Sequence, residues 1–231
     1  MKEKIIEVKE RIAAACNRVG REASEVTLIA VSKTKPLEMI QEAYDAGMRE
    51  FGENKPQELR DKSAQLKVPI RWHMIGTLQK NKIKYVVGTA CFIHSVDSLE
   101  LAEAINRESE KRNIVSDILL EVNIGREETK HGFLPEDLCK AVKQLQGFNN
   151  IRLRGLMTVA PYTENAEENR NYFRKMKELL IDIQIENIDN KFIDVLSMGM
   201  SSDYEVAIEE GATMVRIGTG IFGERIYPEK G

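Results

Sequence analysis

Three stretches of the chain carry residue types that can do chemistry together. "VTLIAVSK" (26–33) ends an apolar run on an amine, Lys33, while "SMGMSSD" (197–203) and "RIGTG" (216–220) are glycine-dotted turns, the second opening on Arg216. An amine desolvated at the end of an apolar strand loses part of its preference for the charged form and becomes a nucleophile toward aldehydes. Strand alternation places Lys33 on the face of Thr27, Ile29 and Val31. Read alone, it is more simply a lysine that snorkels from a strand end. Glycines let a backbone approach an anion, and a helix expected to begin near Ser202–Asp203 adds unpaired N–H groups and a positive dipole end. Ser201 contributes a hydroxyl, and Gly218 and Thr219 contribute backbone N–H groups from the other side. The plain alternative is a pair of tight turns, with Asp203 as a helix cap and Gly211 ending the same helix.

Arg216 shares its strand face with Met214 and Gly218. A guanidinium held among apolar residues requires an acceptor. Glu121 or Asp194 is one kind of acceptor, and the nitrogen of a heterocycle lying between the amine and the anion-holding turns is another. Amine, phosphate cup and arginine together describe pyridoxal phosphate held as a Schiff base.

These residues need a frame that brings the first strand beside the last two. Short apolar runs at 26–33, 50–53, 71–76, 91–96, 118–124, 151–159, 192–199 and 214–223 alternate with amphipathic stretches such as "PLEMIQEAYDAG" (36–47) and "VDSLELAEAINRESEKRN" (96–113). Strict strand–helix alternation implies a parallel sheet. Eight units in 231 residues approach the ~250 residues of a (β/α)8 barrel. The expectation is one α/β domain spanning 1–231, a TIM barrel with an extra N-terminal helix, "MKEKIIEVKERIAAACNRVG"; an open doubly wound sheet is the alternative. In barrels, function sits at the C-terminal ends of the strands, and phosphate commonly binds at the loops after strands seven and eight. The capable residues at those ends are Lys33, Glu53 with Asn54, His73 or Gly76, Ser95, Asn123, Met157, Ser197 through Ser201, and Gly218 with Thr219.

Composition removes several classes. Lysine and arginine number 34 against 37 acidic residues, a net charge of −3, so the basic footprint of a nucleic-acid binder is missing. Cys16, Cys91 and Cys139 show no CxxC spacing, which indicates neither a metal site nor a disulfide framework. The first helix has no apolar h-region, and no window approaches the ~18 apolar residues of a membrane span, so the chain reads as cytoplasmic. Lys80, Lys82 and Lys84 in "QKNKIKYV" form either a patch for an anionic partner or an ordinary solvated face.

Longer blocks carry a resemblance. "VSKTKP", "FGENKPQE", "WHMIGTLQKNK", "HSVDS", "EVNIGREETKHGF", "LRGLMTVAP" and "LSMGMSSDYEVAIEEGATMVRIGTGIFG" resemble the pyridoxal phosphate homeostasis protein family over about residues 26–225, and that fold is similar to the barrel domain of bacterial alanine racemase. The resemblance implies an aldimine on Lys33, Arg216 facing the pyridine nitrogen, and phosphate held by Ser201, Gly218 and Thr219. It also implies that Asn54 and His73 line the cofactor, with Ser197 and Met198 in the same block. "GENKPQE" departs from relatives, which more often carry an aromatic or aliphatic pair after the asparagine.

An arginine at the ring nitrogen leaves the ring unprotonated and a weaker electron sink than a carboxylate partner would. In alanine racemase the second base is a tyrosine from another domain of the partner subunit, and a chain ending at Gly231, just after the eighth unit, is expected to lack that domain. His73 as a substitute base is less economical than a stacking or hydrogen-bonding role, and His94 and His131 are poorer candidates. The reading is therefore a monomeric, non-catalytic carrier that buffers pyridoxal phosphate and supplies apo-enzymes. A weak amino-acid racemase or lyase is the alternative. A Schiff-base aldolase is a third, disfavoured because such enzymes usually carry the lysine on strand six, and "IRLRGLMTV" has none.

Overall fold

The computed structural model describes residues 1–186 and 193–223. Eight parallel strands close into a barrel in chain order: β1 (Thr27–Val31), β2 (Glu50–Glu53), β3 (Arg71–Met74), β4 (Ala90–Val96), β5 (Ser116–Glu121), β6 (Ile151–Met157), β7 (Val195–Ser197) and β8 (Met214–Ile217). The helices are α1 (Lys2–Arg18), α2 (Leu37–Asp45), α3 (Pro56–Gln65), α4 (Leu99–Lys111), α5 (Leu138–Leu145), α6 (Arg170–Glu186), α7 (Tyr204–Glu209) and α8 (Thr219–Phe222).

The period-two pattern of the strands sorts their side chains into two cores. Ile29, Phe92, Leu119, Met157, Val195 and Met214 meet inside the barrel. Their strand neighbours Leu28, Ala30, Ile93, Ile118, Leu120, Leu156, Leu196, Val215 and Ile217 belong to the larger core between barrel and helices. In α1, Ile5, Val8, Ile12, Ala15 and Cys16 are buried at helical spacing. Arg11 and Arg18 of α1 reach Glu205 and Glu209 of α7, so the first helix closes over the last units. Ser98 caps α4 by accepting from the Leu101 N–H at 3.3 Å.

Several details differ from expectation. The stretch after β3 forms a 3-10 turn, Lys80–Tyr85, in place of the α-helix that strict strand–helix alternation implies. Lys82 and Lys84 of that turn and Arg60 of α3 lie within 6 Å of the Tyr85 ring, an arrangement that keeps the cations over an aromatic face. The last strand ends at Ile217, and "TGIF" coils into α8; glycine on both sides of that tetrapeptide lets the chain reverse. The seventh strand is confined to Val195–Ser197 within the expected 192–199, and position 192 lies outside the described residues. No described helix is long and apolar enough to cross a membrane.

Candidate functional site

Barrel closure brings the first strand against the last. Ile29 is in register with Arg216 and Ala30 with Ile217. Gly218 then packs on β1: a Cβ built there would stand 3.5 Å from Val31 Cβ. Lys33 follows Val31 by two residues, half-buried in the turn that leaves β1 rather than on the strand itself. Both of its neighbours are pinned. Ser32 donates its hydroxyl to Glu53 Oε1 at 2.6 Å, and the Ser32 carbonyl accepts from Lys62 Nζ at 2.8 Å. Thr34, at φ 62°, donates its N–H to Glu58 Oε1 at 2.6 Å. Lys62 Nζ also reaches Glu53 Oε1 at 2.8 Å and Glu58 Oε1 at 2.7 Å. One buried ammonium thus ties the Lys33 turn to β2 and α3.

The rim opposite is built by the two glycine turns. The Gly218 N–H donates to Ser201 Oγ at 3.3 Å, joining the loop after β7 to the loop after β8. Asp203 is the N-cap residue of α7, but its side chain makes no capping bond. Its Oδ1 accepts from the Met200 N–H at 2.7 Å and its Oδ2 from Asn169 Nδ2 at 2.9 Å, bracing the loop from beneath. Gly199, at φ 88°, leaves no room for a side chain, because a Cβ would lie 2.6 Å from Ala207 Cβ. Its carbonyl accepts from the Arg216 N–H at 3.1 Å. Thr219 opens α8 in an exposed position, where the first N–H groups of a helix have no intrahelical acceptor.

Arg216 is 4% exposed. It donates from Nη1 to Ser197 Oγ at 2.6 Å and from Nη2 to the Thr158 carbonyl at 2.7 Å. Burial lowers its pKa to about 10, against the attraction of Glu121 and Asp203, so the guanidinium stays charged at neutral pH. Among the described residues no carboxylate bonds it directly. Asp194, one acceptor the sequence offers, is exposed and lies 3.6 Å from Arg154 instead.

Below Ser197 a buried polar line continues toward the closed end of the barrel. Ser197 Oγ is 2.9 Å from His94 Nδ1, His94 Nε2 is 2.9 Å from His73 Nδ1, and His73 Nε2 is 2.7 Å from Glu50 Oε2. Burial lowers the pKa of both imidazoles, and the Arg216 charge adds to the effect at His94. With both rings neutral, every member has its donor and acceptor in one direction: Arg216 to Ser197, Ser197 to His94, His94 to His73, His73 to Glu50. Each ring then carries its proton on Nε2, the tautomer its partners select.

This geometry changes two sequence expectations. His73 does not border the mouth: it is level with Gly52 and Phe92, stacks on the Phe92 ring at 5.8 Å, and reaches Arg216 only through His94 and Ser197. Met198 turns into the core between barrel and helices and is fully buried there, because it follows the inward-facing Ser197 by one residue on β7. Ser197, Ser201, Arg216, Gly218 and Thr219 do share the mouth side of β7 and β8 with Lys33. Asn54 lies just beyond β2, its Oδ1 buried without a partner, and a Cβ on Gly76 would strike its carbonyl at 2.4 Å. His94 and Thr158 were not among the expected residues. His94 could have been found from period two, since it alternates with the inward-facing Phe92.

Glu121 ends β5, directly across an eight-stranded barrel from β1. Burial, then Asp97, pushes its carboxyl up to about 7, against the attraction of Arg216 and Lys130. A carboxyl whose folded pKa lies above its unfolded value favours folding below the unfolded pKa, and that contribution is lost as pH rises toward 7. Glu121→Gln is therefore expected to raise stability by on the order of 1–3 kcal/mol above pH about 8 and to change little near pH about 4. Urea unfolding of both chains at the two pH values checks this, and equal differences at both would reject it.

The family model described as alanine racemase, N-terminal domain, matches residues 8–226. A pyridoxal phosphate homeostasis protein of Aquifex aeolicus is 49% identical, the match covering 97% of this chain and 98% of the relative. PipY of Synechococcus elongatus, whose structure was solved with pyridoxal phosphate bound, is 38% identical, with a TM-score of 0.81 and coverage of 94% of this chain and 100% of that one. An alanine racemase of Clostridium difficile shares the fold at a TM-score of 0.69 and 17% identity, over 95% of this chain and 56% of that one. A barrel closed in this order, with its lysine turn set against the paired glycine loops, thus has its sequence counterparts along the whole chain, and the protein belongs to the alanine racemase N-terminal domain family, among the pyridoxal phosphate homeostasis proteins.

Proposed function

We propose that the chain binds pyridoxal phosphate at the barrel mouth and acts as a carrier that buffers it. The observation that carries this reading is the seating of Gly218 on Val31, two residues from Lys33, with the Gly218 N–H bonded to Ser201. A single small molecule can therefore touch the amine and the anion-holding rim at once. The residues fit such a ligand on three further counts: the braced loop 199–203 and the start of α8 offer backbone donors for a phosphate, Arg216 supplies a fixed cation between them and the barrel interior, and Asn54 Oδ1 leaves a buried acceptor for a hydroxyl of the ligand.

When bound, the cofactor supplies an aldehyde that an amine captures reversibly and a ring that withdraws electrons. Lys33 would supply the amine, held by its pinned neighbours. Ser201, Gly218 and Thr219 would hold phosphate oxygens. Arg216, anchored by Ser197 and the Thr158 carbonyl, would donate a hydrogen bond to the ring nitrogen. A guanidinium there donates and cannot accept, so it leaves the ring unprotonated and favours holding over carbanion chemistry. We place this carrier in the cytoplasm, acting as a monomer that passes its cargo to apo-enzymes.

Adding pyridoxal phosphate to the ligand-free chain is expected to produce a visible absorption band, and borohydride reduction followed by peptide mass spectrometry to place one adduct on Lys33. Lys33→Ala should lose both. A persistent band in that variant, or an adduct on another lysine, would reject the assignment. One observation favours residual catalysis as a second reading: Glu121, titrating near 7, stands across the mouth from the β1 turn. Exchange of amino-acid Cα protons in deuterated water, abolished in Glu121→Gln, would establish that activity, and its absence in the parent chain would exclude it.

A further inference from the structure

Far from the mouth, at the N-terminal end of the barrel, three neighbouring strands begin with side chains of metal-ligating type. Glu50 opens β2, His73 is the third residue of β3, and Cys91 is the second residue of β4. Their donor atoms all lie within 4.8 Å of one another. We propose that Glu50, His73 and Cys91 form a binding site for a borderline-soft divalent cation, zinc foremost, separate from the ligand site at the mouth.

Ligand type selects the ion class. One thiolate, one imidazole and one carboxylate suit zinc and exclude magnesium or calcium, which prefer oxygen sets. The distances fit a tetrahedral centre. With Zn–S near 2.3 Å and Zn–N near 2.0–2.1 Å, sulfur and nitrogen ligands stand about 3.5 Å apart; His73 Nε2 and Cys91 Sγ are 3.6 Å apart. The His73–Glu50 pair, now 2.7 Å, must open to about 3.3 Å, a movement available to a carboxylate at a strand start. Protein ligands fill three positions and leave the fourth to water.

The groups behind these ligands are already in place. A metal-bound histidine is normally held through its other ring nitrogen, and His73 Nδ1 lies 2.9 Å from His94 Nε2. Glu50 Oε1 accepts from Arg71 Nε at 2.7 Å, which leaves Oε2 for the ion. The polar line tolerates occupancy without gaining or losing a proton. With the ion on Nε2, His73 carries its proton on Nδ1 and donates to His94, and His94 donates from Nδ1 to Ser197 Oγ, which still accepts from Arg216. The proton released to solvent is that of the Cys91 thiol, as the metal–sulfur bond forms, so affinity rises with pH. Thiolate and carboxylate then balance the dication, with the Arg71 charge facing solvent at the barrel end. A cleft of about 450 Å³ bordered by Thr27, Arg49 and Glu50 offers entry beside the site. Cysteine spacing cannot disclose such a site, because each ligand comes from a different strand.

The test titrates Zn²⁺ into the metal-free full-length chain against a chelating dye, and examines the loaded parent chain by X-ray absorption. The expected result is one ion per chain, with a single sulfur and otherwise nitrogen or oxygen neighbours. Cys91→Ser and Glu50→Gln should each weaken binding tenfold or more, while Cys139→Ser leaves it unchanged. Absence of stoichiometric binding, a zinc shell without sulfur or with more than one, or unaltered affinity in Cys91→Ser would overturn the proposal. The absorption measurement requires no variant, so a folding defect in a substituted chain cannot mask the answer.

Discussion

Lys62→Met is expected to destabilise the protein by about 3–5 kcal/mol, the cost of leaving a buried charge without its partner. Glu53 is fully buried, and burial pushes its carboxyl up despite the Lys62 ammonium and the Ser32 hydroxyl. Its Oε2 already lacks a partner, so removal of Lys62 would also strip Oε1 of its cation. The Ser32 carbonyl would lose a donor in the same step. For a chain of this size the change corresponds to a fall in Tm of roughly 6–20 °C. Adding Glu53→Gln to Lys62→Met should recover most of the loss, since the orphaned charge is then gone. Calorimetry on the two single variants and the double variant measures the coupling; additive losses would show that the pair does not act as a unit. The ammonium also holds the residues flanking Lys33, so pyridoxal phosphate capture should weaken in Lys62→Met, with Lys33 still present.

Gly155→Ala is expected to cost more than about 4 kcal/mol and to reach the range in which a domain fails to accumulate. A Cβ at this position would stand 1.8 Å from the Val195 carbonyl oxygen and 2.6 Å from its carbon. Those atoms belong to the neighbouring strand β7, in register with Gly155, and cannot move without breaking the ladder that closes the barrel. The register between β5 and β6 also shifts beside Gly155, where Leu153 pairs with Ile118 but Gly155 with Leu119. Soluble yield and the urea midpoint of the alanine variant test the claim, and a midpoint equal to that of the parent would refute it. Because Ser197 and Arg216 hang from β7 and β8, any surviving protein should also bind ligand poorly.

Much of the architecture is legible in the sequence because it depends on local periodicity. Continuous apolar runs such as "TLIAV" and "ILLE" mark strands buried on both faces, and the (β/α)8 reading follows from counting units. Lys33, Ser201, Gly218 and Thr219 could be proposed because barrel topology alone states that strand ends and the last two loops meet at one face. What resisted reading was whatever depends on three-dimensional register. The sequence has no means of saying that His73 lies a layer below Arg216, that Met198 faces the helices, or that the Asp203 carboxylate braces a loop while its backbone sits at the N-cap of α7. Each depends on strand stagger around the closed barrel, set by shifts such as those between β3 and β4 and between β5 and β6. The line from Arg216 to Glu50 is the clearest case. Its members come from strands two, three, four, seven and eight, and 2.6–2.9 Å spacings exist only once closure has set every strand's height against its neighbours. Residue types and their alternation along each strand were written in the chain; which of them touch was decided by the barrel.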